Sequence, residues 1–400
     1  MLKKYISSFF IIAASLIFFS LSVKALTFEE TALYLLEQSP EFKSENLSVE
    51  SFNRNLMTEN NLPDPELSGE YLFAPGDEID KWGAELSWGI DWPGVYGAKN
   101  KESKAKMIAN EKVITAARVK RLTEIKKLLL DYILVEKKIE LIEHMRKDND
   151  SIYTLAEKAA SGGEMTVLDI NKVRLENANL KVSRASLLDE RSITLSSLAS
   201  IYGNDCSEIL STMTCEFPVI EIPTQEEISK AIPSSAEVTA AMAETEVSRR
   251  GEKVALMEAL PSLSVGYKHA FEEGFHFNGA TLGISIPIFS SRNKRKAAKA
   301  AMAESEFKAE SAYMSAATDI NEAMKRLIIM DSQLKEIEPI LQVTNHHTLL
   351  LKAYKGGVIT LLDYLSERSY FTSASMDLLT LKHAAATAQI EIQGLLKSSY

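Results

Sequence analysis

The feature that most limits what this chain can fold into is a long run with no helix breaker inside it. From Gly94 to Ser161 the only glycines are Gly94 and Gly97, both at the start, and no proline occurs before Gly162-Gly163. Helical throughout, the run would be roughly 100 Å long at about 1.5 Å per residue, several times an ordinary globular helix. Leu128, Tyr132, Val135, Ile139, Ile142 and Met145 recur every three or four residues, which keeps one narrow apolar seam for a partner helix. The chain then does the same again. Pro287 stands as far ahead of Gly356 as Pro93 stands ahead of Gly162.

The flanking text repeats too. Thr224-Gln225-Glu226-Glu227 echoes Thr27-Phe28-Glu29-Glu30, where Thr27 and Glu30 have capping-box spacing. Pro261–Tyr267 echoes Pro65–Tyr71, and Lys355–Asp363 echoes Ser161–Asp169. One unit is therefore helix, hairpin, long helix, tight turn, helix, and it occurs twice, over 26–212 and 213–400. The first unit is expected to hold a hairpin at 65–92, a long helix at 94–161 and a helix at 165–202. The second is expected to hold a hairpin at 261–289, a long helix at 290–355 and a helix at 359–396. Pro40 breaks the first helical segment early, and Pro339 should kink the second rod, which has no counterpart in the first.

The hairpins alternate with period two, as strands do. Leu67, Gly69, Tyr71 and Phe73 share a face; so do Trp82, Ala84, Leu86, Trp88, Ile90 and Trp92. In the second unit Leu263, Val265, Tyr267 and Phe271 share a face, as do Ala280, Leu282, Ile284, Ile286 and Ile288. The opposite faces are small and polar. All three tryptophans, Trp82, Trp88 and Trp92, lie on one face, with Trp82 and Trp92 near the ends where membrane-interface aromatics belong. Strands of about ten residues are long enough to cross a bilayer tilted. Four strands cannot close, and open edges in lipid leave backbone groups unsatisfied. The barrel must therefore close between chains, with eight strands from two copies or twelve from three.

Met1–Ala25 has the basic start, apolar run and small-residue end of a secretory signal peptide. It carries three lysines and no acid, so its removal takes the net charge from −10 to −13. That balance disfavours nucleic acid and anionic membrane surfaces as partners. No cysteine stands near the cut to carry a lipid. Cys206 and Cys215 are the only cysteines; in an oxidising compartment they can form one small-loop disulfide, the alternative being two thiols in a loop.

The twofold order, the paired Gly-Gly turns followed by Thr166 and Asp169 or Thr360 and Asp363, and the matching strand entries resemble the TolC-like outer-membrane efflux channel family. The resemblance covers essentially the whole mature chain. It implies a mainly α fold with a membrane β-barrel portion: four transmembrane strands per chain, and long antiparallel helices forming an α-barrel. It implies a homotrimer in the outer membrane of a Gram-negative bacterium, with outer-membrane lipid around it and the helical tunnel in the periplasm. The partners it implies are a periplasmic adaptor (membrane fusion) protein and an inner-membrane pump of the RND type. The stretch Asp64–Glu70, with Glu85-Leu86-Ser87-Trp88 and Pro93-Gly94, also resembles the heavy-metal cation branch.

Gly162, Gly163, Gly356 and Gly357 permit tight helix-to-helix turns. By the resemblance they are the tip where the adaptor docks. Asp169 and Asp363 fall at positions associated with the channel entrance, where copies from several chains would make rings attractive to cations. Their spacing from Thr166 and Thr360 equally fits helix capping, and both roles can hold. Tyr354 matches an entrance position too, although a helical tyrosine more often packs. Where multidrug members carry a basic residue shortly after the glycine, this chain has Ile359.

His346 and His347 are adjacent and face different ways on a helix, and the other four histidines are scattered, so no metal site and no cofactor is read. The basic stretch Arg292–Lys299 reads as a solvated helix face. No nucleophile–base pair or P-loop appears, so an enzyme is not expected. The reading that follows is a passive exit duct for metal cations or small toxic compounds. An outer-membrane component for type I protein secretion is the alternative. A trimeric coiled-coil fibre or adhesin is a third reading, but it would carry its strands at one terminus rather than twice in mid-unit.

Overall fold

A computed structural model of the chain describes residues 26–76, 79–162, 165–289, 291–342 and 346–397. The expected signal segment, 1–25, and Gly163 lie outside them.

The first helix, α1 (Phe28–Gln38), opens on the anticipated capping box: the Glu30 N–H donates to Thr27 Oγ1 at 3.3 Å and the Thr27 N–H donates to Glu30 Oε2 at 2.8 Å. Pro40 does not simply end a helix. It is the first residue of α2 (Pro40–Thr58), where a missing N–H costs nothing. Strands β1 (Glu66–Leu72) and β2 (Lys81–Ile90) follow, then α3 (Pro93–Ser161), one unbroken helix of 69 residues. Next come α4 (Val167–Tyr202), the short α5 (Ser207–Thr212) and α6 (Gln225–Ala231), and α7 (Ala236–Met257). The second hairpin is β3 (Ser262–Glu272) and β4 (Phe275–Ser285). In the second rod the described residues form α8 (Lys294–Gln342), which continues through Pro339, and α9 (His346–Lys355); residues 343–345 between them lie outside the described residues. The last helix is α10 (Leu361–Leu396).

Contacts divide the chain into two compact units, and neither follows the sequence repeat. One gathers the described residues up to Lys43 with Lys120–Pro223 and Ile320–Gly394; the other gathers Ser44–Val119, Thr224–Asp319 and the residues from Leu395.

The first unit has an apolar core. Ala32, Leu35 and Leu36 of α1 pack with Leu122, Ile125, Leu129 and Ile133 of α3, Leu198 of α4, and Ala386 and Ile390 of α10. The narrow seam on α3 is therefore only part of what is buried there. Tyr132, Val135, Ile142 and Met145 are inside as expected, but Ile125, Leu129, Leu130 and Ile133 are fully covered as well. A helix surrounded by neighbours buries more than the two-position stripe of a simple coiled coil. Even Lys126 is inside, 3% exposed, where its Nζ reaches Glu29 Oε1 at 2.7 Å.

Both cysteines lie against this core, and the expected bridge is not formed. Cys206 is buried and its thiol points to the Leu195 carbonyl at 3.9 Å. Burial, with the charge of Glu136 nearby, pushes the Cys215 thiol up to about 11, so little thiolate is present to attack a disulfide partner.

The second unit holds the sheet and the helices that enter and leave it. Leu56, Ala109, Val238 and Val254 are buried there, and the Arg118 guanidinium fastens α3 to α2 through Glu45 at 3.0 Å and Asn46 at 2.7 Å. Among the described residues no helix is long and apolar enough to cross a membrane.

Candidate functional site

Two regions bear on function. The first is the sheet. Its four strands run in the order β1-β2-β3-β4, all neighbours antiparallel. The register puts Tyr71 opposite Trp82, Trp82 opposite Phe271, Leu86 opposite Tyr267, Trp88 opposite Val265, and Val265 opposite Leu282. Directly opposed residues share a face, so Leu67, Tyr71, Trp82, Leu86, Leu263, Val265, Tyr267, Leu282 and Ile284 form one apolar surface. All nine are exposed, from 38% for Trp82 to 84% for Leu282.

The other face carries Ser68, Glu85, Ser87, Ser264, Gly266, Lys268, Thr281 and Gly283 in register. There the Thr281 hydroxyl donates to Glu85 Oε1 at 3.0 Å. β2 ends at Ile90, so Trp92 is not a strand residue; its carbonyl instead accepts the Val95 N–H at 2.8 Å at the entry to α3. Trp88 is held by its indole N–H, which donates to the Pro63 carbonyl at 2.7 Å. Among the described residues β1 and β4 each pair on one side only.

The second region lies in the other unit, at the helix-to-helix turns. After α3 the Gly162 N–H donates to the Lys158 carbonyl at 3.2 Å. After α9 the chain makes a Schellman ending: the Val358 N–H donates to the Ala353 carbonyl at 2.9 Å and the Gly357 N–H to the Tyr354 carbonyl at 3.0 Å. This requires the left-handed backbone of Gly357, at φ +69°. A side chain there would meet nothing within 4 Å.

Both aspartates cap. The Asp169 N–H donates to Thr166 Oγ1 at 3.3 Å and the Thr166 hydroxyl returns a bond to Asp169 Oδ2 at 2.7 Å. Asp363 and Thr360 repeat the pattern at 3.1 and 2.6 Å. The threonine hydroxyls hold the Asp169 and Asp363 carboxyls below the usual carboxylate range. Burial first, and then the charge of Asp169, raises the Tyr354 phenol, so Asp169 from the first turn and Tyr354 from the second are within electrostatic reach. The Tyr354 ring packs on Tyr364, 5.4 Å between centroids, over Ile152, Ala156 and Val173. Around the caps Val167, Leu168, Val358 and Leu362 stand exposed, each by more than half.

No family model matches this chain, and no curated protein matches it. Solved structures do. The open-state MtrE outer membrane channel of Neisseria gonorrhoeae is 16% identical, with a TM-score of 0.75, and the alignment covers 92% of this chain and 88% of that one. The CmeC outer membrane channel of Campylobacter jejuni is 16% identical with a TM-score of 0.73, covering 93% and 86%. The outer membrane protein VceC of Vibrio cholerae is 15% identical with a TM-score of 0.71, covering 91% and 95%. The chain has the TolC-like fold.

Within the TolC-like fold of this chain one residue escaped the sequence reading. Arg368 of α10 is 1% exposed. Its Nη2 donates to Asn149 Oδ1 of α3 at 3.1 Å and to Glu176 Oε1 of α4 at 3.0 Å, and its guanidinium lies 5.7 Å from the Tyr364 ring centre. Asn149 in turn donates to the Val173 carbonyl at 3.3 Å. Three helices are tied together just behind the turns. The signal was available: Leu361, Tyr364 and Arg368 follow at three and four residues, which puts the arginine on the buried stripe of α10.

Proposed function

We propose that this chain is the outer-membrane channel subunit of a tripartite efflux system: an exit duct closed from three copies. The observation that carries this is the sheet. It has one exposed apolar face and one polar face, and among the described residues its edge strands each pair on one side only. Water covers such an apolar surface at about 25 cal/mol per Å², and patches beyond a few hundred Å² mark an interaction site. Lipid outside and further copies at β1 and β4 relieve both costs, and the polar face then lines a watery lumen. The fold shared with channels from Neisseria, Campylobacter and Vibrio supports the same reading.

On this reading the hairpin turns face outward and the helices enter the periplasm. The turns at Gly162, Gly163, Gly356 and Gly357 are the adaptor-docking tip, and the exposed Val167, Leu168, Val358 and Leu362 give the adaptor apolar surface to cover. Asp169, Asp363 and Tyr354 stand at the entrance. An inner-membrane pump supplies the energy.

The test is reconstitution. The detergent-purified chain is expected to run as a trimer and to give single-channel conductance in a planar bilayer. A detergent-free, soluble monomer with no conductance would sink the proposal.

A further inference from the structure

Two of the six histidines, seven residues apart in sequence, meet across the β3–β4 hairpin on the apolar face. His269 pairs with Asn278 and His276 with Phe271, so the two imidazoles are diagonal neighbours near the turn. His276 Nδ1 lies 3.3 Å from His269 Nε2. The other nitrogen of His269 is spoken for: Nδ1 lies 2.7 Å from Asn278 Oδ1. That oxygen can only accept, so Nδ1 carries the proton and Nε2 presents a lone pair to His276. The Tyr267 hydroxyl donates to the same Asn278 oxygen at 2.8 Å and holds it in place. Such an outer partner on the second ring nitrogen fixes tautomer and orientation in metal-binding histidines.

We propose that His269 and His276 chelate a divalent transition-metal ion, of the Zn2+ or Cu2+ class, at the turn end of the second hairpin. Two imidazole nitrogens each about 2.0–2.1 Å from a tetrahedral ion lie about 3.3–3.4 Å apart, which is the separation already present. An ion in that gap replaces the single proton that otherwise has to separate two lone pairs. His276 is exposed, so the ion has a path in. Glu272, beside the turn, is taken by Lys81, and no third protein ligand joins the pair among the described residues. Water completes the shell. The pair rests on hairpin geometry alone and does not depend on what the duct carries.

Trp82 gives the readout. Its ring centre is 5.1 Å from that of His269 and 6.4 Å from that of His276. Titrating Cu2+ alone into the detergent-solubilised full chain is expected to quench part of the tryptophan fluorescence at one ion per chain. His276→Gln is expected to weaken that binding at least tenfold, given that even outer-partner losses cost ten- to a hundredfold. Replacing His346 and His347 by Gln is expected to leave it unchanged. Quenching that survives in the His269→Gln/His276→Gln variant overturns the proposal. The wild-type Cu2+ complex also answers without any variant: its electron paramagnetic resonance spectrum should show coupling to two imidazole nitrogens, and a spectrum with none or one overturns it equally.

Discussion

Arg368 shows how much one side chain can hold. A buried guanidinium is tolerable only while its partners stay, and losing a partner is worse than losing the charge itself. Glu176 is 30% exposed, so water moderates the loss. Glu176→Ala is expected to destabilise by about 2–3 kcal/mol. Arg368→Met, which leaves Glu176 able to reach water and Asn149 still bonded to Val173, is expected to cost less. Ranking the two variants by denaturation midpoint in detergent checks this, and the reverse order would show that the guanidinium's own bonds dominate. The capping aspartates were legible because Thr-x-x-Asp is a local pattern. The histidine pair was not, because its members meet only after a strand register is fixed, and linear spacing carries no sign of it.

At the level of elements, the two left-handed helix ends that follow α4 and α9 look alike in sequence and should behave differently. Gly203 ends α4 at φ +83°, and a methyl group there would lie 2.7 Å from Pro40 Cγ. Gly357 has the same backbone need and open space around it. Gly357→Ala is therefore expected to cost about 1–2 kcal/mol, for backbone strain alone. Gly203→Ala adds a collision with a ring that starts α2, and about 2–4 kcal/mol is expected in total. Equal losses in the two variants would mean that α2 shifts freely. Hairpins and rods were readable from periods of two and three-to-four. The edges were not: Trp92 continues the alternation of β2, yet Pro93 opens α3 before the strand can reach it. Pro339 was visible in the sequence as well, and α8 continues through it to Gln342; whether proline bends a helix or ends it depends on what packs around it.

For the whole molecule, the entrance proposal turns on charge. Thr166 and Thr360 hold Asp169 and Asp363 in the ionised form below the usual carboxylate range. A depressed value keeps the charge present above it and loses it only as pH falls through it. Cation preference in a planar bilayer is therefore expected to persist from neutral pH down past pH 4 and to fade only below. Asp363→Asn should reduce the preference at neutral pH; unchanged selectivity would leave this carboxylate a cap and nothing more. The fold class was legible through the resemblance that the paired turns and the matching strand entries carry. The division into two compact units was not, since each is assembled from stretches far apart in the chain.

That interleaving has a consequence for how the protein comes into being. β2 pairs with β3, strands separated by the whole of α3 through α7. The Ala236 N–H finds its acceptor only at Lys397, at 2.9 Å. Both units include residues from the C-terminal part of the chain, so neither is complete before that part is made. Loop closure over such distances slows folding, so the contacts that complete each unit are expected to form late. Under the outer-membrane role proposed above, in which the chain is exported before it folds, an order of contacts in which the end of the sequence completes what the beginning started is an advantage.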